Sequence, residues 1–377
     1  MNQIPKFRVT FLVVLLSVGI LVVLLREHRP SFLRPDLHSM AYVSTAGGVV
    51  AVVDLVKNST VTRVAVGPEA GELRPHPLQK EIWGVSPAGG YVWVLDAPTN
   101  QISAKISTGG MPYTIDFSPD GKLVYTTSNG ANALLAIDCA SKKITTRATT
   151  GAQPVLARIT PDGKSILVLN HGDASLGIHD VKTLLHRTTV PVIPNPDDLA
   201  VLPDSSVAFV MSRSENRISV VDLKRSVLVA NLELAGKPSQ MILKPDGGEL
   251  FVLSPDSHGL QAINTWTHEV GDYIVLGSSP ARAALLADAA TLYISDSAAG
   301  TIVSLDIVSR RLSPPVPAGR TPGALTFDPG DKPRLLLVLS EGSGDLSVVR
   351  ISLDRTTALL TMIPVGENPR EIAVKLF

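Results

Sequence analysis

The fold is decided by GGMPYTIDFSPDGKLVYTTSNGANALLAID, residues 109–138. This stretch holds three short apolar runs, and each run is bounded by Pro, Gly, Asn or Asp. Such runs are typical of strands that are joined by tight turns. A fourth run, ITTRAT at 144–149, follows the turn CASKK. No segment keeps a helical spacing of apolar residues over ten positions, so the unit is predicted to consist of four strands.

The same unit recurs every 42 residues along most of the chain, and three series of residues keep this period. The first series contains the head prolines Pro112, Pro154, Pro196, Pro238, Pro280 and Pro322. The second contains Pro77, Pro119, Pro161, Pro203, Pro245, Ala287 and Pro329. The third contains Asp54, Asp96, Asp138, Asp180, Asp222, Asn264 and Asp306. A repeat of about 40–45 residues is the length of a β-propeller blade.

The number of repeats predicts eight blades in a single closed ring over residues 41–377. Eight stretches match the second strand of the unit, and eight match the third. Residues 41–66 supply three strands but no innermost one, whereas GENPREIAVKLF at 366–377 resembles an innermost strand with nothing after it. Pairing these two ends completes one blade and leaves only short, protected sheet edges. The predicted fold class is therefore an all-β propeller of eight four-stranded blades.

These units resemble the YVTN-type β-propeller repeat family, which includes the periplasmic YncE-like proteins. The matching pattern is G-x-x-P, an apolar strand, S-P-D-G-K, L-V-Y, an N-G loop and a final apolar-x-I-D, as in residues 109–138. The resemblance covers about residues 41–377 and implies a propeller fold. Members of the family mostly have seven blades, so seven is the alternative to the count of eight.

The N-terminal residues predict export from the cytoplasm. Lys6 and Arg8 precede an apolar run from Val9 to Leu25, and charged residues at 26–29 end it. A basic start followed by an apolar core is the pattern of a signal segment. We expect residues 1–40 to be an uncleaved signal-anchor helix with a short stalk, or alternatively a cleaved signal peptide. The propeller is thus expected on the periplasmic or extracellular side, anchored to the membrane, or secreted after cleavage.

Composition narrows the function classes. The chain has 34 basic and 34 acidic residues, and this zero net charge gives no reason to expect a nucleic-acid partner. Its single cysteine, Cys139, excludes an internal disulfide and a cysteine-ligated metal cluster. The repeated Asp series suggests a metal array, but its position after each third strand predicts that these side chains cap turns.

Candidate ligand-binding residues cluster in the loops that surround one mouth of the predicted channel. In a propeller, the loops between second and third strands share a face with the segments that lead into each blade. The candidates are Asn170, His171, Asp173, Arg213, Glu215, Asn216, His258, Asp296, Arg282 and Arg370. The segments leading into the blades also place Glu72, Tyr113, Asp197 and Asp198 near the axis.

Two subsets of these residues allow alternative interpretations. His171, Asp173 and His258 have the chemistry of metal ligands but come from non-adjacent blades, so no metal site is predicted. Arg282 and Arg370 are suited to an anionic ligand, or to salt bridges with Asp197 or Glu371.

The sequence favours a non-catalytic module that binds a small polar ligand or an unknown protein partner, with no cofactor and no catalytic residue. The alternative is a propeller enzyme of the lactonase-like hydrolase or quinoprotein dehydrogenase type. The hydrolase would need acidic and amide ligands around a channel metal. No repeat position supplies a clear set of such ligands.

Overall fold

The computed structural model describes residues 39–329 and 334–377. Its strands form eight four-stranded antiparallel sheets, which we number as blades in chain order. The predicted count of eight blades is confirmed, and the seven-blade alternative is wrong. The helix predicted within residues 1–40 falls almost entirely outside the described residues. Among the described residues, no helix is long and apolar enough to span a membrane.

The first four blades follow the chain order of the repeat. Blade 1 contains β1 (Ser39–Thr45), β2 (Val49–Asp54) and β3 (Ser59–Ala65). Blade 2 contains β4 (Leu73–Pro75), β5 (Glu81–Ser86), β6 (Tyr91–Asp96) and β7 (Gln101–Ser107). Blade 3 contains β8 (Ile115–Phe117), β9 (Leu123–Ser128), β10 (Ala133–Asp138) and β11 (Lys143–Thr149). Blade 4 contains β12 (Pro154–Ile159), β13 (Ser165–Asn170), β14 (Ser175–Asp180) and β15 (His186–Pro191).

The second half of the ring repeats this order. Blade 5 contains β16 (Asp198–Val201), β17 (Val207–Met211), β18 (Arg217–Asp222) and β19 (Val227–Glu233). Blade 6 contains β20 (Gln240–Leu243), β21 (Glu249–Ser254), β22 (Gly259–Asn264) and β23 (Val270–Val275). Blade 7 contains β24 (Pro280–Leu285), β25 (Thr291–Asp296), β26 (Thr301–Asp306) and β27 (Val316–Pro317). Blade 8 contains β28 (Pro322–Phe327), β29 (Leu335–Ser340), β30 (Asp345–Ile351) and β31 (Thr357–Pro364). One-turn 3₁₀ helices lie at Asn129–Ala131 and Pro255–Ser257.

The last strand, β32 (Pro369–Leu376), closes the ring as the innermost strand of blade 1. It pairs antiparallel with β1, in a register that runs from Ser39 opposite Leu376 to Ser44 opposite Glu371. Lys375 Nζ also donates a hydrogen bond to the carbonyl of His76 in blade 2 at 2.6 Å. The closure predicted from residues 366–377 is therefore confirmed, because the C-terminal strand β32 completes the blade that the N-terminal strands β1 to β3 begin.

The core lies between the blades, because each sheet is apolar on both faces and packs against its two neighbours. Between blades 1 and 2, for example, Tyr42 and Val52 pack against Ile82 and Trp93, and all four are fully buried. Since a blade cannot bury these faces alone, the ring is stabilised as a whole and the innermost strands are held around a central channel.

The carboxylate at the end of each third strand caps the hairpin that follows. In blade 1, Asp54 Oδ1 accepts hydrogen bonds from the backbone N–H groups of Val56 and Lys57, both at 2.9 Å. Asp138 accepts from Ser141 N at 2.7 Å, and Asn264 accepts from Thr267 N at 3.0 Å. The predicted turn role of this series is confirmed.

Candidate functional site

A cavity of about 710 Å³ occupies one mouth of the central channel. It is lined from all eight blades, and the lining is mainly polar. One repeat position dominates its wall, namely the position two residues after the head of each blade. The eight residues at this position, which we call the channel ring, are Glu72, Thr114, Leu156, Asp198, Gln240, Arg282, Ala324 and Glu371.

Three of the eight channel-ring residues, Glu72, Thr114 and Gln240, accept hydrogen bonds from the backbone of the next blade. An innermost strand has one edge without a strand partner, so its backbone groups need other partners. Glu72 Oε2 accepts a hydrogen bond from Ile115 N at 3.1 Å, and Thr114 Oγ1 accepts one from Ala157 N at 3.3 Å. The next ring residue, Leu156, is apolar. The polar ring residues of blades 2 and 3 are therefore already used by the protein.

The charge of Glu72 is balanced by two arginines. Its Oε1 lies 2.9 Å from Arg74 Nη2 and 3.2 Å from Arg158 Nη2. Arg74 also pairs with Asp116 at 3.1 Å, and Asp116 in turn accepts from the backbone of the next blade. Burial lowers the pKa of Arg74, but the carboxylates of Glu72 and Asp116 outweigh it and raise that pKa overall. This network is a fixed part of the wall.

Gln240 uses its side-chain amide in the same way on the other side of the channel. Its Oε1 accepts from Ala283 N at 2.7 Å, and its Nε2 donates to Ala283 O at 3.0 Å. Both polar atoms of this side chain are consequently unavailable to a ligand.

Asp198, Arg282 and Glu371 are the ring residues whose charges are not paired. Arg282 Nη1 donates only to the carbonyls of Ser239 and Ala281, each at 3.3 Å. Within the described ranges, no carboxylate oxygen lies within 4.0 Å of its guanidinium. Asp198 Oδ1 accepts from the adjacent Leu199 N at 2.9 Å. Over residues 39–329 and 334–377, Glu371 is in no salt bridge at all.

The channel environment perturbs all three unpaired groups. Burial raises the pKa of Asp198, which the guanidinium of Arg158 opposes. Burial in the channel raises the pKa of Glu371 and the carboxylate of Glu72 adds to this effect, whereas the guanidinium groups of Arg282, Arg74 and Arg213 oppose it. Burial, followed by the charge of Arg213, lowers the pKa of Arg282. These shifts disfavour the charged forms although Asp198 and Arg282 are only half-buried and Glu371 is exposed. Shifted pKa values of this kind are common at functional sites.

The rim above the ring carries a second cluster around Asp197. Asp197 Oδ2 accepts from Arg213 N at 2.7 Å, and Oδ1 lies 3.7 Å from Arg213 Nη1. His171 Nε2 lies 3.8 Å from the same Oδ1. Asp197, which the sequence suggested as a salt-bridge partner of Arg282, is therefore paired with Arg213. Its carboxylate balances part of the positive charge at the rim.

Of the ten predicted site residues, three line the cavity, namely His171, Arg213 and Arg282. Arg370 points to a different partner, because its Nη1 pairs with Glu69 Oε1 at 3.0 Å and not with Asp197 or Glu371. Glu215 pairs with Arg217 at 2.8 Å outside the cavity lining. Asn216 is exposed, and its backbone carbonyl accepts from Leu234 N at 2.8 Å.

The remaining four predicted residues hold loops together. Asn170 is buried, with Nδ2 bonded to Ser175 Oγ at 3.0 Å, and Asp173 accepts from Ala152 N. Asp296 is buried and accepts from the backbone of Ser278 and Ser279, while His258 Nδ1 contacts the Ser278 carbonyl. Asp173, Asp296 and His258 thus satisfy backbone groups of a connection between two blades, whereas Asn170 bonds a side chain of its own blade.

His171, Asp173 and His258, whose chemistry is that of metal ligands, are not brought together as one group in the described residues. His171 lies in blade 4 and His258 in blade 6, and His258 is bonded to a backbone carbonyl. In the part of the chain that is described, no three His, Cys, Asp or Glu side chains are grouped as a metal site.

Sequence reasoning missed Gln240 and did not select Glu371 as a ligand residue. The repeat itself contains the signal for the ring, because Glu72 to Ala324 follow one another in steps of 42 and Glu371 stands two residues after Pro369. The selection of candidates by polar side chain alone did not distinguish the channel-ring residues from the loop residues on the same face of the propeller.

Several solved structures share this fold at low sequence identity. The chain is similar to the structure "Dihydro-heme d1 dehydrogenase NirN in complex with DHE", with a TM-score of 0.73 and 16% identity, over 92% of this chain and 77% of that one. It is also similar to apo AztD from Citrobacter koseri, with a TM-score of 0.67 and 12% identity, over 90% of this chain and 98% of that one. For Kuenenia stuttgartiensis hydrazine synthase the TM-score is 0.58 at 16% identity, over 75% of this chain and 95% of that one.

Sequence comparison supplies the family. No curated protein sequence matches the chain significantly. The family model described as "YNCE-like beta-propeller" matches residues 102–291, which is just over half of the chain. The matched segment extends from the last strand of blade 2 to the second strand of blade 7, and it includes the ring positions from Thr114 to Arg282. The chain belongs to the YNCE-like β-propeller family.

Proposed function

We propose that this protein is a non-catalytic binding protein that holds a small polar ligand in the mouth of its axial channel. The observation that carries this proposal is the cavity of about 710 Å³ with three unpaired charged groups on its wall. Ligand pockets of small molecules have volumes of roughly 300–1,000 Å³ and a few convergent polar groups. A concave site favours a small ligand over a flat protein partner as the occupant.

The structural neighbours support this interpretation at the level of the fold. One of them, NirN, was solved in complex with DHE, a small molecule. The polar ring residues of blades 2 and 3 are used by the protein and the ring residue of blade 4 is Leu156, so the ligand is expected to contact mainly blades 5 to 8 and blade 1.

We place this binding activity outside the cytoplasm, with the N-terminal segment as membrane anchor. The basic residues Lys6 and Arg8 and the apolar run Val9–Leu25 support this part of the proposal. A reporter enzyme that is active only outside the cytoplasm, fused to the C-terminal Phe377, tests this location. Reporter activity that depends on residues 1–38 is expected, and activity without them would contradict the assignment.

Binding is tested by thermal denaturation of the full-length protein in detergent against a library of small polar metabolites. A compound present at 100 times its dissociation constant stabilises the folded state by about 2.7 kcal/mol. The variant Ala324→Trp fills the channel ring and should abolish this stabilisation. Ala140→Trp, at an exposed turn on the opposite face, is the matched control. Stabilisation of both variants by every active compound would place binding elsewhere and contradict the proposal.

A further inference from the structure

The three unpaired ring groups alternate in charge around one half of the channel. Asp198 lies in blade 5, Arg282 in blade 7 and Glu371 in blade 1, so one position separates each neighbouring pair. The two positions between them hold Gln240, whose amide is bonded to Ala283, and Ala324, which has only a methyl group. A ligand that reaches this half of the wall therefore meets one free cation flanked by two free carboxyl groups.

Neither a simple anion nor a simple amine satisfies this wall. A charged group that is removed from water without a partner is costly, whereas a partner with hydrogen-bonding geometry offsets the cost. An anion would pair with Arg282 but would leave Asp198 and Glu371 without an ion pair within 4.0 Å among the described residues, since Arg158, Arg213 and Arg74 act on them only at longer range. An amine would pair with a carboxylate but would leave Arg282 without one, next to the like charge of Arg213.

We propose that the channel mouth binds a small zwitterion of the amino-acid type, whose carboxylate is held by Arg282 and whose ammonium group is held by Asp198 or Glu371. This inference rests on the proposed function and specifies the ligand class for the same site. A guanidinium binds a carboxylate through two parallel hydrogen bonds, and the small side chain of Ala324 leaves room beside Arg282 for such a contact.

The pKa shifts of the three ring groups agree with this assignment. Burial raises the pKa values of Asp198 and Glu371 and lowers that of Arg282. A ligand with both charges stabilises the ionised form of all groups it contacts, and it adds no net charge to the channel. The rim pair of Arg213 and Asp197 remains intact above it.

The test uses the full-length protein in detergent and a panel of standard amino acids and longer ω-amino acids. Each is compared by thermal denaturation and calorimetry with two analogues, its amide and its N-acetylated acid. The zwitterion is expected to bind at least about tenfold more tightly than either analogue, since each analogue loses one charge-assisted hydrogen bond worth about 1.5–3 kcal/mol.

Variants assign the two ends of the ligand. In Arg282→Gln, the zwitterion and its amide should bind equally, because the partner of the carboxylate is lost. In either Asp198→Asn or Glu371→Gln, the zwitterion and its N-acetylated analogue should bind equally, because the partner of the ammonium group is lost. Because each test is a ratio of two ligands in one variant, partial misfolding does not mimic it. Arg217→Gln removes a rim charge outside the cavity lining and should leave both ratios unchanged.

The outcomes separate this inference from the function on which it rests. If one-charge analogues bind as well as the zwitterion and binding remains sensitive to Ala324→Trp, the ligand class is wrong but the binding function stands. Unchanged ratios in Arg282→Gln, or in both carboxyl variants, overturn the placement of the ligand. If no compound of any class binds in an Ala324→Trp-sensitive manner, the proposed function itself fails.

Discussion

Gln240 and Ala283 are joined by two hydrogen bonds across the boundary between blades 6 and 7. The side-chain amide of Gln240 accepts from Ala283 N at 2.7 Å and donates to Ala283 O at 3.0 Å. It therefore satisfies both backbone groups of one residue on the free edge of β24, as a neighbouring strand would do. Glu72 and Thr114 make the acceptor half of this contact elsewhere in the ring. The ring thus connects blades as well as lining the channel.

Replacing Gln240 by Ala should lower the free energy of unfolding by about 1 kcal/mol. The substitution removes both hydrogen bonds to Ala283, and channel water replaces them only in part. Chemical denaturation monitored by circular dichroism measures the change. Gln101→Ala, at an exposed strand position, is the control and should change stability by less than about 0.5 kcal/mol. Equal effects of the two substitutions would contradict the bridging role.

Asp198→Asn should stabilise the ligand-free protein at neutral pH. The folded-state pKa of Asp198 is raised above its ordinary value of 3.8 by burial, although Arg158 and Arg213 oppose the shift and Glu72 adds to it. As the pH rises from 3.8 to the raised pKa, the unfolded chain loses its proton first, so the wild-type protein loses stability over this window. Asn has no such titration.

Melting temperatures across pH test this prediction. The advantage of Asp198→Asn should be present at neutral pH and should disappear below about pH 3, where the aspartate is protonated in both states. Asp204→Asn on an exposed turn serves as the comparison, because its pKa is lowered by hydrogen bonds to Ser206 and the sign should reverse. An advantage of Asp198→Asn that is independent of pH would contradict the assignment.

Removal of residues 366–377 should prevent formation of a stable monomer. Without β32, the edge of β1 is exposed and the inner face of blade 1 loses its covering strand. We expect aggregation on size-exclusion chromatography, and partial recovery of monomer when a peptide of residues 366–377 is added. A scrambled peptide is the control. A truncated protein that stays monomeric with the wild-type melting temperature would contradict the closure.

Cys139 should be unreactive in the folded protein. The side chain is 1% exposed, and burial raises the pKa of its thiol to about 12, so the thiolate is scarce at neutral pH. A thiol reagent should modify Cys139 only after denaturation, whereas Ser141→Cys, placed on the exposed turn two residues later, should react at once. Rapid loss of the Cys139 thiol in the native protein would show that this turn opens.

The architecture was predictable from the sequence because the same pattern of strands and turns occurs in every repeat. Head prolines, turn prolines and capping carboxylates recur at one spacing, so Asp54 and Asp138 identify hairpins that the structure confirms. Closure was predictable as well, since residues 366–377 match the one strand that blade 1 lacks.

The candidate site was predictable only in part. Asp296 and Arg282 are both charged residues near the channel, and nothing in their local sequence distinguishes them. In the folded ring, Asp296 accepts hydrogen bonds from the loop around Ser278, while no carboxylate oxygen of the described residues lies within 4.0 Å of the Arg282 guanidinium. The partner of Asp296 lies 18 positions away, whereas Gln240 of the channel ring is bonded to Ala283, 43 positions away in the next blade, so the distance along the chain does not reveal which polar group is used.

The sequence by itself determined the blade unit, its number and the pairing of the chain ends, because strand patterns and turn residues act locally and the period of 42 repeats them. Only the tertiary structure decided which channel groups remain unpaired. The physical reason is that hydrogen bonds and ion pairs between innermost strands join residues from different blades, and their distances exist only once the ring has closed.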